Sequence, residues 1–415
     1  PTALTIAGDI TARATAFGIA SDHRATDDPV SLRVHLATVI DRIRETGKPF
    51  IQVLDTYRFA AHSKGDDDRD AGEIAEYVSR DPLIALRSLA GEAVAQEAAA
   101  VARMRVTAAV TAADAAPHAE VDPAAEHEEM SRRGLGSSGA EAFARGTGEA
   151  APLMVHCLNQ ALHAMMEADH DVLLMGEDLL DPYGGAFKVS RGLSTRFPAR
   201  VLTTPISESA IVGLGAGLCM RGLKPIVEIM FGDFLTLAAD QIVNHVAKFH
   251  WMYNGQVETP MVIRTPVGGR RGYGPTHSQS LEKMFFGVPG LVVVGVSLRH
   301  DPGELLRRAV VDDLRPVLFI EQKSLYAKRL RPDAPLGLAF ELHESEIDAL
   351  YPTGTWKPLG AKADLTVVTY GAMTEIVEAA ITAVFDDDEI VVEYLVVSQL
   401  APLRIDPIVD SVRRT

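Results

Sequence analysis

Apolar positions along the chain fall into three regimes. Between Val30 and Thr46, Leu32, Val34, Leu36, Val39, Ile40 and Ile43 recur with a helical period. A shorter helix is expected over Ile6 to Phe17, before it. Pro49 then introduces a short apolar strand, Phe50 to Leu54, and a further helix is expected from Asp81-Pro82, with proline just inside its start, followed by an Ala-rich helix. From 115 to 150 the pattern fades: Ala, Glu, Gly and Ser dominate, and Gly134, Gly136 and Gly139 interrupt any helix, so a flexible linker is expected. From 151 onward the pattern becomes regular. A helix over Met154 to Met166 is followed by apolar runs at Val172–Met175, Val201–Ile206, Pro225–Phe231, Met261–Arg264, Leu291–Val296 and Val317–Glu321. These runs are continuous rather than alternating, which implies a parallel sheet covered on both faces. A second α/β unit begins near Ala363, with strand Leu365–Thr369, helix Met373–Phe385 and strand Ile390–Val397, after an irregular, Pro-rich stretch from about 330 to 362.

The expected organisation is therefore α/β, with pieces at 1–114, 115–150, 151–332 and 333–415. The chain begins at Pro1 and stops at Thr415 after a helix-like stretch, where an α/β pattern would continue with a strand, so it reads as part of something longer. Composition narrows the classes. With 47% hydrophobic residues over 415 positions there is material for more than one core. A formal charge of −16 disfavours a nucleic-acid partner. Neither of the two cysteines, Cys157 and Cys219, has a C-x-x-C partner, which suits small buried hydrophobes and a reduced, cytoplasmic setting. No apolar run reaches the ~18 residues of a membrane span.

In open parallel sheets ligands bind beyond the carboxyl ends of the strands, and Gly176-Glu177-Asp178, Ser207-Glu208 and Asp233 are expected at that edge. In Pro205-Ile-Ser-Glu208 a strand ends, a carboxylate follows and a helix begins at once. Glu208 either complements that helix N-terminus or is a buried carboxyl with a raised pKa, able to share a proton with a cofactor nitrogen. Gly213, Gly215 and Gly217 lie inside the helix rather than in the turn before it, so they are not a dinucleotide fingerprint. His277 follows a glycine-rich loop, Gly268 to Pro275, and is either a surface histidine or an acid–base group. Tyr57-Arg58 and His62-Ser63 form another loop after a strand, where Arg58 could hold an anion or simply be solvated. Neither H-E-x-x-H nor G-x-S-x-G occurs.

Taken in order, these segments resemble the E1 component of 2-oxo acid dehydrogenase complexes. Residues 1–114 resemble the C-terminal half of the alpha subunit, through Thr56-Tyr-Arg58, His62-Ser63 and Arg80-Asp-Pro82. Residues 151–415 resemble most of the beta subunit, through Gly176-Glu-Asp178, Tyr183-Gly-Gly-Ala-Phe-Lys-Val189, Thr204-Pro-Ile-Ser-Glu208, Ala239-Asp-Gln-Ile242, His277-Ser-Gln279 and Pro289-Gly-Leu291. The resemblance implies a thiamine-diphosphate-binding, transketolase-like fold of parallel-sheet domains with a partial transketolase C-terminal-like α/β domain, and the two subunit types fused in one chain. It implies that Glu208 faces N1′ of the aminopyrimidine, with Glu177, Ile206 and Phe234 around the ring. It makes His277 and His62 proton carriers at the site mouth and places Arg58 and Ser63 in acyl transfer to a lipoyl-bearing E2 partner. Met261, Ala309 and Asp312 fall where some beta subunits hold potassium. Assembly as a homodimer mimicking α2β2 is also implied.

One departure stands out. The family's magnesium and diphosphate motif, G-D-G followed by Asn, is absent from this sequence, so the magnesium ligands are expected in a segment outside it. Two rival readings follow. Arg270 and Arg271 could meet a substrate phosphate, as in transfer of a two-carbon ketol (glycoloyl) unit from a ketose phosphate to an acyl carrier protein. A non-catalytic scaffold that kept the fold is the other.

Overall fold

The computed structural model describes residues 8–60, 69–118, 128, 133, 142–144, 150–332, 340–343 and 349–415. The chain divides into two compact units, Pro1–Val121 and Asp122–Thr415.

In the first unit, β1 (Ala20–Ala25) and β2 (Phe50–Asp55) pair in parallel, with Ala20 opposite Phe50. The polar β1 sequence, Ala-Ser-Asp-His-Arg-Ala, carries no apolar signal, and the sequence pattern did not suggest it. Helices Ile10–Ala16, Pro29–Thr46, Ala71–Ser79, Pro82–Ala90 and Glu92–Ala115 complete the unit. Asp28, Asp70 and Asp81 each cap the helix that follows by accepting backbone N–H groups, and Gly47 closes the second helix in the left-handed region at φ 62°.

The second unit is built on a seven-stranded sheet ordered β13-β7-β8-β6-β5-β3-β4. Its strands are β3 (Val172–Gly176), β4 (Val201–Thr203), β5 (Lys224–Glu228), β6 (Val262–Val267), β7 (Val292–Gly295), β8 (Val317–Gln322) and β13 (Gln399–Ala401). All pairs are parallel except β13 with β7. Alternate side chains along each strand enter opposite cores. Val172, Leu174 and Phe319 join Leu158, Leu162 and Leu305 on one face, and Leu173, Met175 and Leu318 join Ile211, Val212 and Ile242 on the other. That two-sided burial explains the continuous apolar runs.

Three expectations change. The strand expected over Val201–Ile206 stops at Thr203, leaving Pro205 and Ile206 outside the sheet. The irregular stretch before Ala363 contains β9 (Phe340–His343) and β10 (Gly354–Pro358), which join β11 (Leu365–Thr369) and β12 (Val392–Val396) in a four-stranded sheet ordered β11-β12-β10-β9. Only the β11–β12 pair is parallel there, and Trp356, Ile381 and Tyr394 form its core. The linker is not a free spacer at its described positions. Ala142–Ala144 bridge to 299–301, through Ala144 N–H to the Arg299 carbonyl at 3.1 Å and Asp301 N–H to the Ala142 carbonyl at 2.8 Å. The Phe143 ring stacks 5.3 Å from His300, and Arg133 pairs with Glu258.

Candidate functional site

The site grows from the carboxyl ends of β3 and β5. Gly176 ends β3 at φ +157°, and a Cβ added there would stand 2.6 Å from the Glu228 carbonyl oxygen, so only glycine lets β3 approach β5 this closely. Glu177 follows it. Thr204 N–H donates to the Gly176 carbonyl at 2.8 Å, which ties the chain after β4 beside it. Ser207 then adopts a non-helical conformation and Glu208 opens the helix Glu208–Cys219. Glu177 and Glu208 are 6% and 5% exposed, so two carboxyls share one desolvated corner. Burial pushes the Glu177 carboxyl up, and the charges of Glu208, Asp178 and Glu228 add to the shift.

Glu177 Oε1 and Thr204 Oγ1 are buried and have no hydrogen-bond partner among the described residues. A buried acceptor without a donor costs about 1–3 kcal/mol. A flat aromatic ligand offering N–H groups and a protonatable ring nitrogen would remove that cost, and an aminopyrimidine has that donor set.

Beside this corner lies an aromatic floor. Phe231 meets Phe234 at 5.9 Å and Tyr273 at 5.6 Å, both edge-on. Phe187 stacks on Tyr326 at 4.9 Å and meets Tyr273 at 6.1 Å. The His277 ring stands edge-on against Phe231 at 4.8 Å and Phe234 at 5.2 Å. Arg271 is exposed, with its guanidinium 5.7 Å above the Phe187 ring. Arg270 is exposed in the same loop at φ 64°.

Under the floor runs a fully buried ionic network. Arg264 on β6 grips both oxygens of Glu321 on β8, at 2.9 and 2.6 Å, and also pairs with Glu228 on β5. Tyr326 Oη donates to Glu321 at 2.7 Å, and Glu228 accepts from Ala186 N–H at 2.8 Å. Burial raises the Glu228 carboxyl, opposed by Arg264.

The sequence-derived candidates separate accordingly. Glu208, Glu177, Phe234, His277 and Arg271 all lie in the second unit, in this corner or on the floor beside it. Ile206 is 82% exposed, off the end of the shortened strand. Arg58 is exposed in the first unit, where its carbonyl accepts from Arg69 at 2.6 Å. His62 and Ser63 lie outside the described residues. The Asp312 carboxylate is paired with Arg307 at 2.9 Å, the Met261 carbonyl accepts from Val317 N–H at 2.9 Å, and Ala309 is buried in the core. Among the described residues no group of three or more His, Cys, Asp or Glu side chains is placed to hold a metal, and no helix is long and apolar enough to cross a membrane. Sequence reasoning missed Phe187, Tyr326, Arg264 and Lys323. For the last two, a charge inside or directly after a continuous apolar run was the available signal.

Residues 151–328 match the transketolase pyrimidine-binding domain, and with that match the parallel sheet and the acidic, desolvated corner at its strand ends belong to a transketolase-like, thiamine-diphosphate-dependent enzyme. The chain is 37% identical over 268 residues to the beta subunit of acetoin:2,6-dichlorophenolindophenol oxidoreductase from Cupriavidus necator, covering 62% of this chain and 75% of that protein. It is 35% identical over 263 residues to the pyruvate dehydrogenase E1 component subunit beta of Acholeplasma laidlawii, covering 63% and 76%. It is 36% identical over 268 residues to the 3-methyl-2-oxobutanoate dehydrogenase subunit beta of Mycobacterium tuberculosis, covering 63% and 72%. The chain belongs to the family of beta subunits of 2-oxo acid dehydrogenase E1 components. Its fold is also that of the transketolase from Leishmania mexicana, with TM-score 0.60 at 18% identity over 98% of this chain and 59% of that one.

Proposed function

We propose that this protein is an E1-type enzyme that decarboxylates a 2-oxo acid, pyruvate or a branched-chain acid, and passes the acyl group to a lipoyl-bearing E2 partner. The observation that carries the reading is the pair of buried carboxyls, Glu208 and Glu177, with the unpartnered Oε1 of Glu177 between strand end and helix start. Thiamine diphosphate, when bound, supplies the nucleophilic carbon and the electron sink for C–C cleavage. Glu208 would share a proton with the pyrimidine nitrogen in a corner that excludes water, and Glu177 and Phe234 would flank the ring. His277, held edge-on by two phenyl rings, would move a proton at the substrate oxygen. His62, Arg58 and Ser63 are proposed at the acyl-transfer step, with magnesium at the diphosphate.

Ketol transfer is the second reading, favoured by the exposed Arg271 guanidinium over Phe187 at the edge of the floor. One experiment separates the two. The protein is incubated with thiamine diphosphate, magnesium and pyruvate, 3-methyl-2-oxobutanoate or xylulose 5-phosphate, beside a lipoyl domain and an acyl carrier protein, and both acceptors are weighed. An acetyl or branched-acyl increment on the lipoyl domain is expected. A glycoloyl increment on the carrier overturns the 2-oxo acid reading. No increment with any substrate, together with no binding of the cofactor, overturns both.

A further inference from the structure

Lys323 follows β8 directly and is 1% exposed, a rare placement for an ammonium group. Its backbone N–H donates to the Val267 carbonyl at 3.0 Å, so its position is set by the sheet and not by a loop. Its Nζ donates to the backbone carbonyl of His277 and stands 4.9 Å over the Phe231 ring. Burial lowers the pKa of this ammonium, and the charge of Asp233 opposes the shift. Asp233, buried in the turn Gly232–Phe234, accepts from the Gln279 side-chain amide at 2.8 Å and faces the Gln279 N–H at 3.4 Å. Gln279 in turn accepts from Gly268 N–H at 3.0 Å, which closes the neck of the glycine-rich loop.

A buried cation and a buried anion thus grip the backbone and amide on either side of Ser278. The loop they hold would be loose by its own chemistry: Gly268, Arg270, Gly272 and Gly274 all have positive φ. Hydrogen bonds to charged groups are worth roughly twice neutral ones, and more where water is excluded. The chain therefore places its strongest local contacts where the backbone is otherwise least constrained.

We propose that Lys323, with Asp233, is a positioning residue that holds the His277 loop against the Phe231–Phe234 floor through the His277 carbonyl, and so sets the imidazole for its step in the reaction. The role of the imidazole rests on the function proposed above, whereas the clamp itself does not. Its two components are therefore read separately.

Arg270 and Arg271 make the loop a reporter, because trypsin cleaves after either once the backbone opens. In the full chain without substrate, K323M is expected to be nicked at Arg270 and Arg271 roughly tenfold faster than wild type, the scale of losing one charge-assisted hydrogen bond. K323R, which keeps the charge and donor, is expected within about threefold of wild type. Nicking of K323M at the wild-type rate overturns the clamp, as does K323R nicked as fast as K323M. If K323M does not fold, D233N carries the same test with the same two outcomes. In turnover, K323M should lower kcat by about tenfold while KM moves less than threefold, as expected for a misplaced proton carrier. E208Q should lower turnover by roughly a hundredfold or more and leave nicking unchanged. Faster nicking of K323M with no turnover in the wild type would sink the proposed function and keep the clamp. Unchanged nicking with normal wild-type turnover would do the reverse.

Discussion

Two groups of buried carboxylates lie at the carboxyl end of the same sheet, and they are treated in opposite ways. Glu228 and Glu321, on β5 and β8, are closed around Arg264, with Tyr326 and Ala186 N–H supplying further donors. Glu177 and Glu208, after β3 and after β4, have no such cation among the described residues, and Glu177 Oε1 has no donor among them. Both groups are desolvated, so burial alone does not distinguish structure from function. What distinguishes them is completeness among the described residues: the first network is paired throughout, and the second keeps one buried carboxyl oxygen without a partner. Lys323 extends the contrast, since its buried charge is spent on a backbone carbonyl of a loop.

The largest expected effect falls on the Glu177–Glu208 corner. E208Q keeps shape and removes the exchangeable proton, so turnover of the loaded protein should fall on the order of a hundredfold or more. The unfolding midpoint should stay near that of wild type, because no ion pair is lost. Turnover at the wild-type rate would end the assignment of this corner as the reacting one.

The satisfied group should answer in stability. R264M leaves Glu321 and Glu228 buried and uncompensated, a loss of about 3–5 kcal/mol. Both tryptophans, Trp251 and Trp356, lie in the second unit, so denaturant unfolding followed by fluorescence reports this change. The triple variant R264M/E228Q/E321M should recover most of it, since it leaves no buried charge uncompensated. A single R264M variant within about 1 kcal/mol of wild type would mean that the network adds little.

How much of this contrast the sequence carries depends on how local each feature is. The central strands were legible because two-sided burial writes them as unbroken apolar runs, and Glu208 because a carboxylate stands directly at a helix start, although β4 ends at Thr203, earlier than the apolar run suggests. β1 was not legible, since its polar residues form a strand by pairing with β2. β9 and β10 hid in a Pro-rich stretch for a related reason: β10 is completed by β12, distant in sequence, and β9 forms the edge by pairing with β10. The aromatic floor draws on Phe187, Phe231, Phe234, Tyr273 and Tyr326, which only the strand order β8-β6-β5-β3 brings together. In the sequence Glu228 lay inside one expected apolar run, and Arg264 and Glu321 closed two others, with nothing local to name their partners. Their pairing needs both the adjacency of β5, β6 and β8 and a register that sets Glu228 opposite Arg264.

The smallest effect sharpens the comparison most, because it separates desolvation from catalysis. The folded chain binds the Glu177 proton more tightly than the unfolded chain does, since burial and the neighbouring Glu208 raise its pKa. Its penalty is therefore absent below the unfolded carboxylate value of about 4.3 and grows as pH rises toward the folded value. E177Q removes that titration. Relative to wild type it should gain on the order of 1 kcal/mol near neutral pH and nothing near pH 4, so the two stability curves should diverge as pH rises. Parallel curves would place the Glu177 carboxylate in water and dissolve the distinction between the two groups. Added thiamine diphosphate offers an internal control: if it supplies the missing donor to Oε1, it should stabilise wild type more than E177Q, and the gap between the curves should narrow.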